Sequence, residues 1–126
     1  MNWNPEQYDD HAELVGYVWH NYRHLFSEDV LRAEHVLLTE AKAKNVSSES
    51  LRARLLSSGS WGRGPEIDEL LAEGMGPFRS RAADELLAQR RAEVVINRCS
   101  RCARIVATPL ARQCLWCGHD WHHAGG

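Results

Sequence analysis

Two short cysteine motifs decide the fold of this chain: Cys99-Ser-Arg-Cys102 and Cys114-Leu-Trp-Cys117, separated by eleven residues. They hold all four cysteines of the 126-residue sequence. A C-x-x-C turn directs two thiolates at one ion, and two such turns supply four sulfurs at about 2.3 Å in a tetrahedron. A closed tetrahedral set of sulfurs favours Zn²⁺ over harder ions. The spacing therefore predicts one structural zinc ion, bound by Cys99, Cys102, Cys114 and Cys117.

Three other uses of the cysteines stay open at this stage. Two disulfides are typical of secreted proteins, but the first residues, MNWNPEQYDD, lack the basic patch and apolar stretch of a secretory signal. A thioredoxin-like redox site uses a single C-x-x-C at a helix start, and a rubredoxin-like iron site separates its motifs more widely. His119, His122 and His123 follow the last cysteine, and we expect them around the site rather than as ligands.

The cysteine spacing resembles that of the zinc-ribbon family, over roughly residues 93–123. The resemblance implies a three-stranded antiparallel ribbon stapled by a structural zinc ion. Motifs of that family often read C-P-x-C-G. Gly118 matches the last position in the second motif, whereas Ser100 and Ala103 replace the proline and the glycine in the first. We therefore expect a less favourable backbone geometry in the first motif, with the same four ligands.

The residues on either side favour a mixed fold. Val94-Val95-Ile96 and residues 104–108 are rich in β-branched side chains and are followed by turn residues, which predicts strands. Upstream, capping residues and apolar periodicity predict helices. The five predicted helices cover roughly 5–26, 27–44, 48–56, 65–73 and 77–91. The fold class is thus predicted to be α+β, a mostly helical region followed by the ribbon.

The expected domain organisation follows from the same change of character. Residues 1–92 form the helical region, and residues 93–126 form the zinc ribbon with a short tail. Within the helical region, the Gly/Ser-rich segment 57–65 is typical of a hinge, with Trp61 as its anchor. The second helix begins at an N-cap, Ser27, and its predicted apolar face consists of Val30, Leu31, Leu37, Leu38 and Ala41.

Charge and hydropathy limit the kinds of partner. The net charge is −2, and residues 1–46 hold eight acidic against four basic side chains, so the front of the chain would repel nucleic acid. The longest aliphatic run has three residues, far short of the roughly 20 that a membrane span needs. We expect a cytoplasmic protein without membrane contact. The mildly basic end offers one candidate interaction surface, formed by Arg98, Arg101, Arg104, Arg112, Trp116 and Trp121.

Polar residues of the first two helices form a weaker candidate site. One face of the first helix, opposite its apolar stripe, carries Glu13, Tyr17, His20 and His24. His20 and His24 have the i, i+4 spacing of paired metal-binding imidazoles, but residue 21 is Asn where zinc proteases have Glu. Glu34 falls on the apolar face of the second helix and needs a partner such as Arg23. We expect a solvated face and a paired glutamate.

These observations favour a non-enzymatic adaptor that uses the zinc ribbon as a rigid platform for another protein. The first alternative is a nucleic-acid-binding or transcription-associated protein, in which the Arg/Trp surface contacts phosphates and bases. The second alternative is a metal-dependent enzyme built on the helical residues, Glu13, His20, His24 and Glu34. Phosphate-loop and dinucleotide-binding glycine motifs are absent from the sequence.

Overall fold

The chain is mostly helical. The computed structural model describes residues 4–60 and 64–122, so Trp61 and His123 lie outside the described residues. In that part of the chain we name five α-helices α1 to α5: Asp10–Asn21, Glu28–Lys44, Glu49–Ser60, Pro65–Leu71 and Met75–Arg90. Single turns of 3-10 helix lie at Pro5–Gln7, Arg23–Leu25 and Arg91–Glu93. None of the described helices is both long enough and apolar enough to cross a membrane.

Side-chain caps fix where the first helices begin. The predicted N-cap of α2 is confirmed, because Ser27 Oγ accepts a hydrogen bond from the Val30 amide at 3.2 Å. A cap that was not predicted, Asp9, accepts from the Ala12 amide at 2.9 Å. The backbone of Tyr8 just before it is extended. The single helix predicted over 5–26 is therefore divided into a 3-10 turn, α1 and a second 3-10 turn.

The predicted α+β fold with a three-stranded antiparallel zinc ribbon is wrong. Residues 94–122 contain no strand and no sheet. Their only ladder pairing consists of two isolated antiparallel bridges, Arg98 with Ile105 and Gln113 with Asp120. The cysteine motifs thus close two tight loops, but neither loop extends into a ribbon.

The reason is that side chains occupy the backbone groups that strand pairing would need. The Val95 amide donates to the Tyr22 hydroxyl at 2.9 Å, and its carbonyl accepts from the Tyr17 hydroxyl. The Asn97 side-chain amide donates to the carbonyls of Thr108 at 2.9 Å and Ala111 at 3.0 Å. The β-branched segment 94–96 therefore bonds to Tyr17 in α1 and to Tyr22 at its end rather than to a neighbouring strand.

Two compact units divide the chain. The terminal unit consists of the described parts of residues 1–24 and 83–126, and the central unit consists of Leu25–Ala82. The terminal unit buries apolar residues of α1 together with residues of α5 and the C-terminal segment: Val15, Val18, Trp19, Ala83, Leu86 and Val94. The two ends of the sequence thus build one core.

In the central unit, α3 and α4 pack against α2. The buried face of α2 is centred on Ala33, Val36 and Ala43. It is rotated from the predicted face, since Leu38 is exposed. The helices that cover this face are α3 and α4, and the guanidinium of Arg52 in α3 donates to the carbonyl of Ala43 at 3.0 Å, which links α3 to the last turn of α2. The helix α3 also continues to Ser60, into the segment predicted as a hinge.

Candidate metal centre

The four cysteines lie together and could hold one metal ion. Their sulfur atoms all lie within 4.8 Å of one another. Across the two motifs, Cys99 Sγ lies 3.6 Å from Cys117 Sγ, and Cys102 Sγ lies 3.6 Å from Cys114 Sγ. Four sulfurs at about 2.3 Å from a central ion stand about 3.8 Å apart in a regular tetrahedron. The cluster therefore has the size that a tetrahedral ion requires.

The same distances exclude disulfide bonds among the four residues. A disulfide joins its sulfurs at about 2.05 Å, far below the 3.6 Å between the sulfurs of each cross-motif pair, and all four cysteines are free thiols. Within the described part of the chain, no other three or more Cys, His or carboxylate residues come close enough to share an ion. The group of four contains no histidine.

The two motifs fold into equivalent loops, offset by fifteen residues. The amide after each motif bonds back to its first cysteine, from Ala103 to the Cys99 carbonyl at 2.8 Å and from Gly118 to the Cys114 carbonyl at 2.9 Å. The amide of each first cysteine donates to the carbonyl five residues later, at 2.9 Å and 2.8 Å. In the first loop, the Arg101 amide also donates to Cys99 Sγ at 3.3 Å. Backbone amides therefore help to hold and neutralise the sulfurs.

Each loop places one residue in the left-handed region. In the second loop this residue is Gly118, with φ 81°, and in the first it is Ala103, with φ 66°. Glycine adopts this conformation freely, whereas a residue with a Cβ pays roughly 1–2 kcal/mol. The departure of the first motif from C-x-x-C-G therefore leaves the loop geometry in place and strains one residue.

Ionisation of the thiols is uneven across the cluster. Burial raises the pKa of Cys102, but hydrogen bonds, first from the Arg104 backbone and then from neighbouring thiols, lower it to about 7 overall. Burial raises the pKa of Cys114 to about 12. The Cys102 thiolate thus forms readily, while a thiolate at the buried Cys114 beside it is disfavoured. A divalent cation would remove this conflict, because it neutralises the charge that the sulfurs share.

A network from the start of α1 supports the first loop. The Tyr8 hydroxyl donates to Asp10 Oδ1 at 2.6 Å and accepts from the Ile105 amide at 3.0 Å. The guanidinium of Arg98 makes two bonds to the Asp10 carboxylate, at 2.8 and 3.1 Å, and one to the Ala103 carbonyl at 2.9 Å. Hydrogen bonds from Arg98 and then from Tyr8 lower the pKa of Asp10 to about 2.

Asn97 is the positioning residue that sequence reasoning missed. Its side-chain amide spans the turn between the two loops, where it donates to three carbonyls of residues 108–111 at 2.9, 3.4 and 3.0 Å. The backbone amide of Asn97 donates to the Tyr17 hydroxyl at 3.3 Å. Tyr17, expected on a solvated face, is consequently buried. No local pattern signals this role, because every partner of the Asn97 side chain lies at least eleven residues away.

The predicted Arg/Trp surface is divided between core and solvent. Trp116 is 7% exposed and packs edge-on against Tyr8, with ring centroids 5.0 Å apart. It belongs to a buried cluster with Cys99, Val106 and Cys114. Trp121 is partly buried against this cluster. Of the arginines, Arg98 is paired with Asp10, Arg104 lies 5.6 Å from the Tyr8 ring centroid, and Arg101 and Arg112 are exposed.

The helical His/Glu residues are not gathered into one group. Glu13 and His20 line a common cleft in the terminal unit, while His24 lies in the following 3-10 turn and is exposed. Glu34 is buried in the central unit. Beyond the cysteines, His119 stacks near Trp121 at 5.4 Å between ring centroids, and His122 Nδ1 contacts Asp120 at 2.5 Å.

Comparisons of the chain with family models, with curated proteins and with solved structures found no match.

Proposed function

We propose that this chain is a non-enzymatic interaction protein whose terminal unit is held together by one structural zinc ion. The observation that carries the proposal is the arrangement of the four sulfurs, all within 4.8 Å of one another. Four thiolates fill every position of a tetrahedral shell, whereas a catalytic zinc ion keeps one position open for water or substrate. Soft thiolates select zinc over magnesium or calcium.

The surroundings of the cluster support a structural role. Few apolar side chains pack on it: Val106 and Trp116 are buried there, with Tyr8, Ala111 and Trp121 partly buried around them. So small a core supplies little stability by itself. The free energy of metal binding would make up the difference, since ligands that fold around an ion convert binding energy into folding energy.

The test is metal analysis of the purified full-length chain. We expect one equivalent of zinc, and cobalt(II) substitution should give the absorption spectrum of a tetrahedral thiolate site. Replacing one ligand, Cys117→Ser, should weaken zinc binding at least tenfold. The matched control Ser100→Ala, in the equivalent loop but not a ligand, should bind zinc like the original chain. Less than half an equivalent of zinc, or iron in its place, would contradict the proposal.

Contacts around the loops favour a protein partner over nucleic acid. Two of the four arginines are engaged by Asp10 and Tyr8, which leaves few cations for phosphates. Exposed apolar side chains lie on the same segment instead, since Leu110 is 88% exposed and Leu115 47%. Leu110 lies in the turn that Asn97 holds in place. Because Asn97 holds the backbone of this turn, little backbone entropy would be lost when Leu110 packs against a partner protein.

A salt-dependent binding assay separates the two kinds of partner. A phosphate-binding surface should bind DNA or RNA with micromolar affinity at physiological salt and lose affinity steeply as salt rises. We expect no such binding, either by the original chain or by a variant with Arg101→Gln and Arg112→Gln. A salt-sensitive complex that this double variant abolishes would favour the nucleic-acid function over the one proposed here.

A further inference from the structure

A cleft of about 260 Å³ lies between α1 and the segment that follows the first cysteine loop. Four residues of α1 line one side, Glu13, Gly16, Tyr17 and His20, and residues 105–107 line the other. The α1 residues are spaced i, i+3, i+4 and i+7, so they share one helix face. A cavity of about 150 Å³ already accommodates benzene, so this cleft has room for a side chain of five or six non-hydrogen atoms.

Gly16 forms an open part of the cleft wall. Glycine within a helix costs roughly 1 kcal/mol relative to alanine, and Gly16 lies in the middle of α1. A Cβ built at this position would meet nothing within 4 Å. No close packing inside the chain therefore requires glycine here. The space above the helix backbone is open to a ligand that lies against it.

Most polar groups of the walls are already used inside the chain. The Tyr17 hydroxyl bonds to Val95 and Asn97, and the Val106 amide donates to the Asn97 carbonyl at 3.0 Å. The Ala107 carbonyl accepts from Asn21 at 3.0 Å. What these walls offer to a ligand is consequently an aliphatic surface.

The Glu13 carboxylate is the charged exception. It is partly buried, and within the described part of the chain no hydrogen bond or ion pair joins it to another residue. Burial, and then the neighbouring charge of Asp9, raise the pKa of Glu13. Both effects disfavour the isolated carboxylate, and a bound cation would offset both. His20 lies two helical turns away along the same face.

We propose that this cleft binds a basic side chain of a partner protein, with its aliphatic stem along Gly16 and its cationic head at Glu13. A lysine side chain has the required chemistry, four methylene groups that end in an ammonium group. This proposal rests on the proposed function and names the chemistry of the partner. It also ties the cleft to the metal centre, because residues 105–107 directly follow the first cysteine loop.

The test is a nuclear magnetic resonance titration of the zinc-loaded full chain with N-acetyl-lysine methylamide. The expected result is saturable shifts of the amides of residues 16, 20 and 105–107, with a dissociation constant in the millimolar range, about 4 kcal/mol of binding free energy. N-acetyl-norleucine methylamide, which has the same stem without the charge, should bind at least tenfold more weakly. Equal binding of the two compounds, shifts spread over the whole surface, or no saturable shifts would overturn the proposal.

Three variants locate the binding. Glu13→Gln should remove the preference for lysine over norleucine. Gly16→Leu should abolish binding of both compounds by filling the cleft, while raising the helix propensity of α1. Glu6→Gln removes one acidic charge at an exposed position outside the cleft and should bind lysine like the original chain. Unchanged binding by Glu13→Gln, or equal losses in Glu6→Gln, would overturn the assignment.

The zinc content of the same sample separates the two proposals. A zinc-loaded chain that binds no lysine derivative contradicts the cleft and leaves the metal centre untouched. A chain that binds no zinc contradicts the proposed function, whatever the titration shows.

Discussion

Ala103 and Gly118 occupy equivalent positions after the two cysteine motifs, and both have a positive φ. Glycine is the residue that prefers this left-handed backbone conformation, and only position 118 has it. A Cβ at Gly118 would meet no atom within 4 Å, so backbone conformation, and not packing, decides the effect of a side chain there. The two positions can therefore be tested by opposite substitutions, glycine for alanine at 103 and alanine for glycine at 118.

Ala103→Gly should raise the free energy of unfolding of the zinc-loaded chain by roughly 0.5–1 kcal/mol. It relieves about 1–2 kcal/mol of left-handed strain, less the added freedom of glycine in the unfolded chain. Gly118→Ala should lower the free energy of unfolding by about 1 kcal/mol. Denaturant unfolding measures both. The control Gly76→Ala, in helix α5, should be neutral or stabilising, and destabilisation by Ala103→Gly would contradict the strain argument.

Asn97 gives a second prediction for a single residue. Asn97→Asp keeps the size of the side chain but replaces a donor by an acceptor that faces three carbonyls. We expect a loss of roughly 1–3 kcal/mol in the free energy of unfolding, together with faster hydrogen exchange of the Ala111 amide.

The matched control is Asn45→Asp, which loses one exposed bond to the Ala41 carbonyl at 3.2 Å. It should change the free energy of unfolding by less than about 0.5 kcal/mol. Equal effects of the two substitutions would show that Asn97 does not position the turn between the loops.

Among the elements, the contact between the start of α1 and the first cysteine loop rests on the Asp10–Arg98 ion pair. Both side chains are about half exposed, so a double-mutant cycle with Asp10→Asn and Arg98→Gln should give a coupling of about 0.5–1 kcal/mol. The exposed pair of Glu28 and Arg32 in α2 serves as control, with about 0.3 kcal/mol expected. A coupling no larger than that of the control would contradict the support role of Asp10.

The pH dependence of this pair has a definite sign. Because the pKa of Asp10 is lowered to about 2 in the folded chain, the pair contributes fully above the ordinary carboxyl pKa of about 3.9. Its contribution is lost as the pH falls through about 2. The carboxyl resonance of Asp10 should accordingly titrate lower in the original chain than in Arg98→Gln, and equal midpoints would rule out the pair.

How much of these elements could be predicted depended on whether the determinants were local. The positions of α2 and α4 followed from Ser27 and Pro65, whose effects reach only a few residues. The four cysteines could be grouped because two short motifs fix their spacing. The ribbon prediction failed because Val95 bonds to Tyr17 and Tyr22, which lie more than seventy residues earlier in the chain. β-branched composition predicts extended backbone but does not identify what it bonds to.

For the whole molecule, the division into two units predicts a divided response to metal removal. A strong chelator should remove protection from hydrogen exchange in residues 94–122 and in α1, because that segment is bonded to α1 through Tyr17 and Asn21 and to the residue before its N-cap, Tyr8. Helices α2 to α4 belong to the central unit and should keep most of their protection.

Hydrogen exchange of the full chain, followed by mass spectrometry, measures the two units together. Readdition of zinc should restore the original pattern. Uniform loss across residues 28–71 as well as 94–122 would mean that the chain unfolds as one cooperative body. Unchanged protection of residues 94–122 would mean that the metal does not hold them.

The terminal unit joins the two ends of the sequence, and this has a consequence for biosynthesis. When the last residue of α1, Asn21, has been added, the last cysteine, Cys117, is still about a hundred codons from translation. At 5–20 residues per second the wait is roughly 5–20 s. During that time the apolar face of α1, with Val15, Val18 and Trp19, lacks its final partners and is open to chaperones. Capture of a metal ion by all four cysteines can follow only after Cys117 has been translated, which makes zinc supply a late checkpoint in the maturation of the terminal unit.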